Sequence, residues 1–396
     1  MSRDVHIASC VGGGPMERLA RRLAERGVPS RVVAEYSAEA WRRTMAAGPW
    51  GRARGRLGAF VRFPARMTAE ALRHDASVMV PTTNPFILPL VAVALRGLHR
   101  RSVTPLVYDL WPDALEAGGI ARAGGWASRL GEAANRYWFA RADGVVFIGE
   151  RMARFAIARY GEPRRWTVIE TGADSAELAA DAVGPEAAES DLERWCEGKL
   201  VAAYVGNMGR MHDVATLRDA VPRALAGGGG APLAVVVAAS GPGVEALREA
   251  WRDLPATRVR FEPPLGDRAW ARLLVRAAIA FVTLRDEASR TCIPSKAFSA
   301  LAAGEALCVI APEDSDLAEL VRRHGCGRQV APGDVDGLVA TLGALADDAE
   351  ALASMRAAAR AAASEHYDIG RLAVRWRDFL ASLTRRDPDP GAPPSP

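Results

Sequence analysis

The sequence predicts an α/β protein with two doubly wound parallel-sheet halves in tandem. Three observations predict it. Short apolar runs alternate with stretches of helical periodicity. The runs are apolar on both faces, as strands covered by helices on each side must be. The alternation breaks once, over 175–199, and then restarts. A chain of 396 residues also suits two domains better than one core.

In the first half, "VHIASCV" (5–11) reads as a buried strand. Gly12, Gly13 and Gly14 turn the chain into the helix "PMERLARRLAERG", which Gly27 stops. "SRVVAEY", "ASVMVPTT" (76–83), "TPLVYDLW" (104–111), "DGVVFIG" (143–149) and "WTVIETGAD" (166–174) are the further strands. The Ala- and acid-rich segment 175–199 has no strand signal and reads as the interdomain connection. The second half runs "LVAAYVGNMGR" (200–210), "LAVVVAASGPG" (233–243), "RVRFEPPLG" (258–266), "AIAFVTL" (278–284), "ALCVIAP" (306–312) and "GRQVAPG" (327–333), with helices between. The expected domains are therefore 1–175 and 200–366, joined through 176–199. A final helix over about 367–383, expected to cross back to the first domain, precedes the Pro-rich, charged tail 384–396. That tail has nothing to bury and is expected to be disordered.

Apolar content of 49% with 25% charged residues is that of a folded soluble chain. A net charge of +4 specifies no partner. Cysteines 10, 196, 292, 308 and 326 form no CxxC pair and no metal-ligand spacing, and read as reduced thiols. "MSRDVHIASC" lacks a signal-peptide apolar region, and the run "PFILPLVAVAL", 11 residues, is too short to span a bilayer. The expected location is the cytoplasm. The six histidines are scattered; only His212 falls in a loop of interest.

Lysine is the rare letter. Of 51 basic positions only Lys199 and Lys296 are lysine. Lys296 lies in "RTCIPSKAFSALAAGEALCVIAP" (290–312), which reads as the loop leaving one strand, a helix opened by Pro294 and Ser295 and closed by Gly304, and the next strand. Such a loop lies at the carboxyl edge of a parallel sheet, where open α/β folds bind ligands. A cation in the first helical turn opposes the helix dipole unless an anion is present. Lys296 therefore reads as a phosphate contact; the plainer reading is a solvated lysine at a helix end. "VGGGPMERL" is a second glycine turn before a helix. It is an incomplete dinucleotide fingerprint, because Glu17 stands where the third glycine belongs. Glu35 could mimic the ribose-binding acid; a bare turn or a ligand-facing loop are the alternatives. Finally, over 41–67 arginines 42, 43, 52, 54, 56, 62 and 66 interleave with Trp41, Trp50, Phe60 and Phe63. This reads as a basic helix with its apolar face in the core, or as a face for an anionic membrane or lipid-linked acceptor. No nucleic-acid module accompanies it.

Taken in order, "VGGGPMERLARRLAERG", "VYDLWPDAL", "ADGVVFIGERMARFAIARYG", "WTVIETGAD", "AAYVGNMGRMHD", "ASGPGVEAL", "IPSKAFSALAAGEALCVIAPEDSDLAELV" and "GCGRQVAPGD" resemble glycosyltransferase family 4, in its bacterial surface-polysaccharide branch. The resemblance covers nearly the whole chain; "DLWPD" and "PSK…LAAG" are its most specific pieces. It implies the GT-B fold, two facing Rossmann-like domains with the donor cleft between them, the acceptor mainly on the first and the nucleotide-sugar donor mainly on the second. It implies transfer with retention, no bound metal and no cofactor beyond the nucleotide sugar. By position, Gly206, Asn207 and Gly209 resemble the turn beside the donor phosphates, and Arg210 a charge partner for them. Ser295 and Lys296 resemble the phosphate-side residues, Gly241 and Gly243 a further strand-end turn, and Gly12 and Gly13 the loop that closes over the donor. Asp109 falls where a side chain faces the reacting sugar. Asp109, Arg210 and Lys296 are thus the expected catalytic residues. The sequence departs at Thr291 and Ser299, where the family often has glutamates. Ser299 could still meet a ribose hydroxyl, and Glu287 lies nearby. The implied function is transfer of a hexose or N-acetylhexosamine from a UDP-sugar to a lipid-linked saccharide. A small secondary metabolite is the alternative acceptor, and nucleotide-sugar epimerisation the alternative reaction.

Overall fold

The computed structural model describes residues 4–73, 78–99, 101–183, 190–227 and 232–383. The expected tail, 384–396, and His74 lie outside them. The chain forms two compact units: residues 1–112, 124–170 and 369–396 make the first, and 113–123 with 171–368 make the second.

In the first unit the strands are β1 (Val5–Ala8), β2 (Val11–Gly12), β3 (Ser30–Val33), β4 (Tyr36–Ser37), β5 (Val78–Pro81), β6 (Ser102–Val103), β7 (Leu106–Val107), β8 (Val145–Phe147) and β9 (Trp166–Val168). They pair in parallel in the orders β3-β1-β5-β6 and β7-β8-β9, with β2-β4 as a short separate pair. A bridge from Thr82 to Leu106 joins the two larger groups. The run read as one strand over 104–111 holds only the short β7; β6 ends just before it, and Pro105 between the two supplies no N–H to a ladder. Helix Pro15–Ala24 buries Met16, Leu19, Ala20 and Leu23, the i, i+3, i+4, i+7 stripe. The closing helix Ile369–Ser382 packs against it.

In the second unit β10 (Leu200–Asn207), β11 (Leu233–Ser240), β12 (Val259–Glu262), β13 (Ile279–Thr283), β14 (Ala306–Ile310) and β15 (Gly327–Val330) form one parallel sheet. Its order is β12-β11-β10-β13-β14-β15. β10 displays the reason for the unbroken apolar runs. Leu200, Ala202 and Tyr204 enter the core on one face, and Val201, Ala203 and Val205 the core on the other. Each large apolar side chain so buried contributes about 1.5–3 kcal/mol.

Residues 175–199 are more than a link. They carry helices Ser175–Val183 and Asp191–Cys196, the latter opened by a capping box of Ser190 and Glu193. Leu178, Leu192 and Cys196 join the core beside β10. Helix Asp113–Ala117, which follows "DLW", also belongs to the second unit. Its Ala117 packs against the core cluster that includes Ala288 and Phe298, and Gly118 lies against Met211. None of the cysteines forms a disulfide among the described residues. No helix there is long and apolar enough to cross a membrane.

Candidate functional site

The order β12-β11-β10-β13-β14-β15 reverses between β10 and β13, so their connections leave to opposite sides. Ligands of open α/β sheets bind beyond the carboxyl ends at such a switch point. Here β10 ends at Gly206 and Asn207, with Gly206 at φ 96°. β11 ends at Ser240, and Gly241 follows at φ 113°. An L side chain is strained at either position. A Cβ on Gly241 would lie 2.7 Å from the Met208 carbonyl oxygen, and one on Gly243 2.5 Å from Met208 Cγ. The two turns are thus packed together, through Met208 N–H donating to Ser240 (2.7 Å) and Gly243 N–H donating to Met208 (3.1 Å). Gly209 lies beside the Asn207 side chain; a Cβ there would be 3.0 Å from Nδ2. No side chain caps helix Pro242–Ala250.

Lys296 reaches this turn from the other side of the switch point. Its ammonium lies 3.7 Å from the centre of the Tyr204 ring and donates to the Asn207 carbonyl at 3.4 Å. The Tyr204 hydroxyl donates to the same carbonyl at 3.2 Å. Burial pushes the Lys296 amine down to about 7, and the Tyr204 hydroxyl up. Ser295 occupies the N-cap position of helix Lys296–Ala303 as expected, but its side chain makes no capping bond. The helix opens instead with a tight turn in which Ala297 and Phe298 N–H donate to the Pro294 and Ser295 carbonyls, both at 3.1 Å. That leaves the lysine head, more than the first-turn amides, to meet an anion. Gly304 closes the helix in the left-handed region, φ 77°.

The neighbouring side chains sort themselves by their partners. His212 Nδ1 lies 2.7 Å from the Thr283 carbonyl, which only accepts, so Nδ1 carries the hydrogen and Nε2 the lone pair. Burial, then the Lys296 charge, pushes His212 down to about 4, so it is neutral near pH 7. Arg210 is exposed and makes no ion pair among the described residues. Ser299 is half-buried, one turn beyond Lys296. Thr291 is buried and donates its hydroxyl to the Ala288 carbonyl at 3.1 Å. Glu287 is exposed on the turn Asp286–Ala288 and pairs with Arg285 at 3.4 Å.

Gly12, Gly13 and Asp109 belong to the first unit. There Gly13, at φ 94°, donates its N–H to Glu17 Oε1 at 2.8 Å. Glu35 pairs with Arg62 (3.2 Å) and Arg66 (4.0 Å), so two arginines of the basic segment occupy the carboxylate read as a ribose mimic. Asp109 is half-buried just beyond β7. The N–H groups of Tyr108 and Asp109 donate to Thr83 Oγ1 at 3.0 and 3.1 Å, which fixes the strand end. Burial raises the Asp109 carboxyl to about 6. Over 41–67 the face is mixed. Trp50 is 84% exposed, and Leu57, Phe60, Val61 and the arginines at 42, 43, 52, 54, 56, 62 and 66 are exposed with it. Phe63 is fully buried and Trp41 packs on Tyr36, ring centres 5.3 Å apart.

Sequence reasoning missed Tyr204, Thr283 and Thr83, and the contact of Glu17 with the Gly13 N–H. Tyr204 and Thr283 had a signal: each is a polar-tipped residue near the carboxyl end of a mostly apolar strand.

Comparison with known proteins accords with this geometry. Residues 15–172 match the family model described as Glycosyl transferase 4-like domain. A curated relative, "Probable glycosyltransferase WbjE" of Pseudomonas aeruginosa, is 24% identical over 274 residues, which is 69% of this chain and 66% of the relative. Among solved structures, the Anabaena protein Alr3699/HepE in complex with UDP-glucose is similar at TM-score 0.66 and 15% identity, covering 96% of this chain and 99% of that one. Sucrose-phosphate synthase from Thermosynechococcus elongatus is similar at TM-score 0.69 and 14% identity, covering 96% of this chain and 99% of that one. Residues 15–172 are thus similar to a glycosyl transferase 4-like domain, and the fold is that of the GT-B glycosyltransferases. The resemblance read from its motifs is to that same group.

Proposed function

We propose that the protein is a retaining glycosyltransferase. It would take a hexose or N-acetylhexosamine from a UDP-sugar and pass it to a lipid-linked saccharide, with no resident metal. The observation that carries this reading is the Lys296 head beside the tightly packed turns at Gly206–Gly209 and Gly241–Gly243, at the sheet's switch point. Solved structures of similar fold hold UDP or UDP-glucose, which supports a UDP-sugar here. As the bond from the sugar's anomeric carbon to the leaving diphosphate breaks, negative charge grows on the phosphate oxygens. Lys296 and Arg210 would neutralise it, a charge-assisted contact being worth about 1.5–3 kcal/mol. The acceptor oxygen bonds to the anomeric carbon on the face the phosphate leaves, and its proton passes to a phosphate oxygen. Ser299 would meet a ribose hydroxyl in place of the missing glutamate. Asp109 would orient the acceptor hydroxyl or the reacting sugar.

The exposed Trp50, Leu57, Phe60 and Val61 among arginines support an acceptor held at an anionic membrane surface. A panel of nucleoside diphosphates and sugar nucleotides, screened by thermal shift and then by transfer to lipid-linked and soluble acceptors, tests the reading. Stabilisation by UDP and its sugars is expected, with transfer to the lipid-linked acceptor. No stabilisation by any nucleotide refutes the donor assignment. Transfer to the soluble acceptor alone refutes the lipid one. A new sugar nucleotide formed without acceptor would mean epimerisation.

A further inference from the structure

Both lysines of this chain rest on aromatic faces, Lys199 on Trp195 at 3.8 Å and Lys296 on Tyr204 at 3.7 Å. The two contacts differ in kind. Lys199 folds back on its own turn and donates to the Trp195 carbonyl. Lys296 crosses from its helix to a different strand, onto a ring that is 1% exposed and cannot follow it outward. That ring is fixed at both ends. Its hydroxyl donates to the Asn207 carbonyl at 3.2 Å, and His212 meets it edge-on with centres 6.0 Å apart. We propose that Tyr204 is a positioning residue for donor binding: its face holds the Lys296 head, in charged form, beside the turn that receives the diphosphate.

The inference rests on the reading of Lys296 as a phosphate contact and adds what keeps that contact ready. Lys296 makes no ion pair among the described residues, so the ring face and one carbonyl oppose its loss of a proton. Among the described residues the titratable groups set against it are Tyr204 and His212, and burial holds both neutral near pH 7. A ring quadrupole stabilises the ammonium and not the neutral amine. Removing the ring while keeping the burial must therefore lower the amine's midpoint below its present value of about 7.

The scarcity of lysine makes this measurable. Lys199→Arg leaves Lys296 as the single lysine, so protein labelled with carbon-13 lysine gives one side-chain Cε signal to titrate by NMR. The expected midpoint is about 7 in this background. It should be little changed in Tyr204→Phe, which keeps the ring and loses the hydroxyl. In Tyr204→Leu it should be lower by about one pH unit, the size of a partly desolvated cation–π contact. UDP should raise the midpoint in the parent and bind up to about tenfold more weakly to Tyr204→Leu above pH 7, the same one unit expressed as affinity. If Tyr204→Leu does not fold, pentafluorophenylalanine at 204 keeps the ring's shape, reverses its quadrupole, and carries the same expectation. A midpoint unchanged or raised in the ring-deleted protein overturns the role of Tyr204, even where UDP binds. UDP failing to bind while the ring effect holds counts against the donor reading alone.

Discussion

The two glycine turns of this chain look alike in sequence and differ in who answers them. Each follows a strand, "VGGGPMERL" in the first unit and the interlocked "VGNMGR" and "SGPGVEAL" in the second. In the first, the Glu17 carboxylate takes the Gly13 N–H at 2.8 Å, so the chain supplies its own anion. In the second, no carboxylate is hydrogen-bonded to the turns among the described residues. The turns interlock so closely that side chains at 241 and 243 have no room, and a lysine head comes to the Asn207 carbonyl. A glycine turn is a ligand site when the protein leaves it unanswered, and a structural turn when a neighbouring side chain completes it. The first unit's claim to chemistry accordingly passes from its glycines to Asp109.

Asp109→Asn gives the largest expected effect and tests that transfer. Turnover should fall by roughly 10²-fold or more, as for loss of a group that orients the reacting partners, with UDP affinity retained. Burial raises this carboxyl to about 6 from an ordinary 3.8, so wild-type activity should climb as pH rises through 6 and the group ionises. The raised value also means that ionisation opposes folding. The stability of the neutral carboxyl is complete below pH 3.8 and is lost as pH rises through 6. Asp109→Asn should therefore melt higher than wild type at pH 7 and alike at pH 3.5, measured by calorimetry. Equal melting at both would place the carboxyl in water.

The first unit's other claim is its basic face. Arg52→Ser, Arg54→Ser and Arg56→Ser together should weaken binding to anionic vesicles at low salt by about 3 kcal/mol, at about 1 kcal/mol per arginine. The difference should shrink as salt is added. Co-sedimentation reads it, and wild-type protein that ignores such vesicles rejects the face as a docking surface. On the second unit, Lys296→Ala should weaken UDP by about 1.5–3 kcal/mol, roughly 10- to 150-fold, with the circular dichroism spectrum kept. Wild-type affinity should fall as pH rises above about 7, where the amine loses its proton, and the variant's should not. The smallest effect sharpens the comparison from the other side. Glu17→Ala should lose about 1 kcal/mol of stability, with the Gly13 N–H left to water, and leave UDP affinity unchanged. Weakened UDP binding in that variant would return the first turn to the site.

Periodicity made the fold legible. A strand such as 200–207 must be apolar throughout because both its faces are covered, and helix 296–303 ends where Gly304 takes a left-handed turn. Most of the second-unit cluster was legible too, because glycines at strand ends and a rare lysine leave marks in the sequence. What stayed hidden were partners distant along the chain. Nothing in "SGPG" says that it interlocks with Met208, and nothing in "AAYVG" says that Lys296 will lie on the tyrosine. The Glu35 pairing with Arg62 and Arg66, and the grouping of Asp113–Ala123 with the second unit, depend likewise on packing that no local pattern encodes.

The most direct test is a crystal structure of the protein grown with UDP. The diphosphate should lie within hydrogen-bonding distance of Lys296 Nζ and against the turns at Gly206–Gly209 and Gly241–Gly243, with the Gly13 N–H still on Glu17. A diphosphate bound instead at the Gly12–Gly14 turn, with Glu17 displaced, would contradict the account.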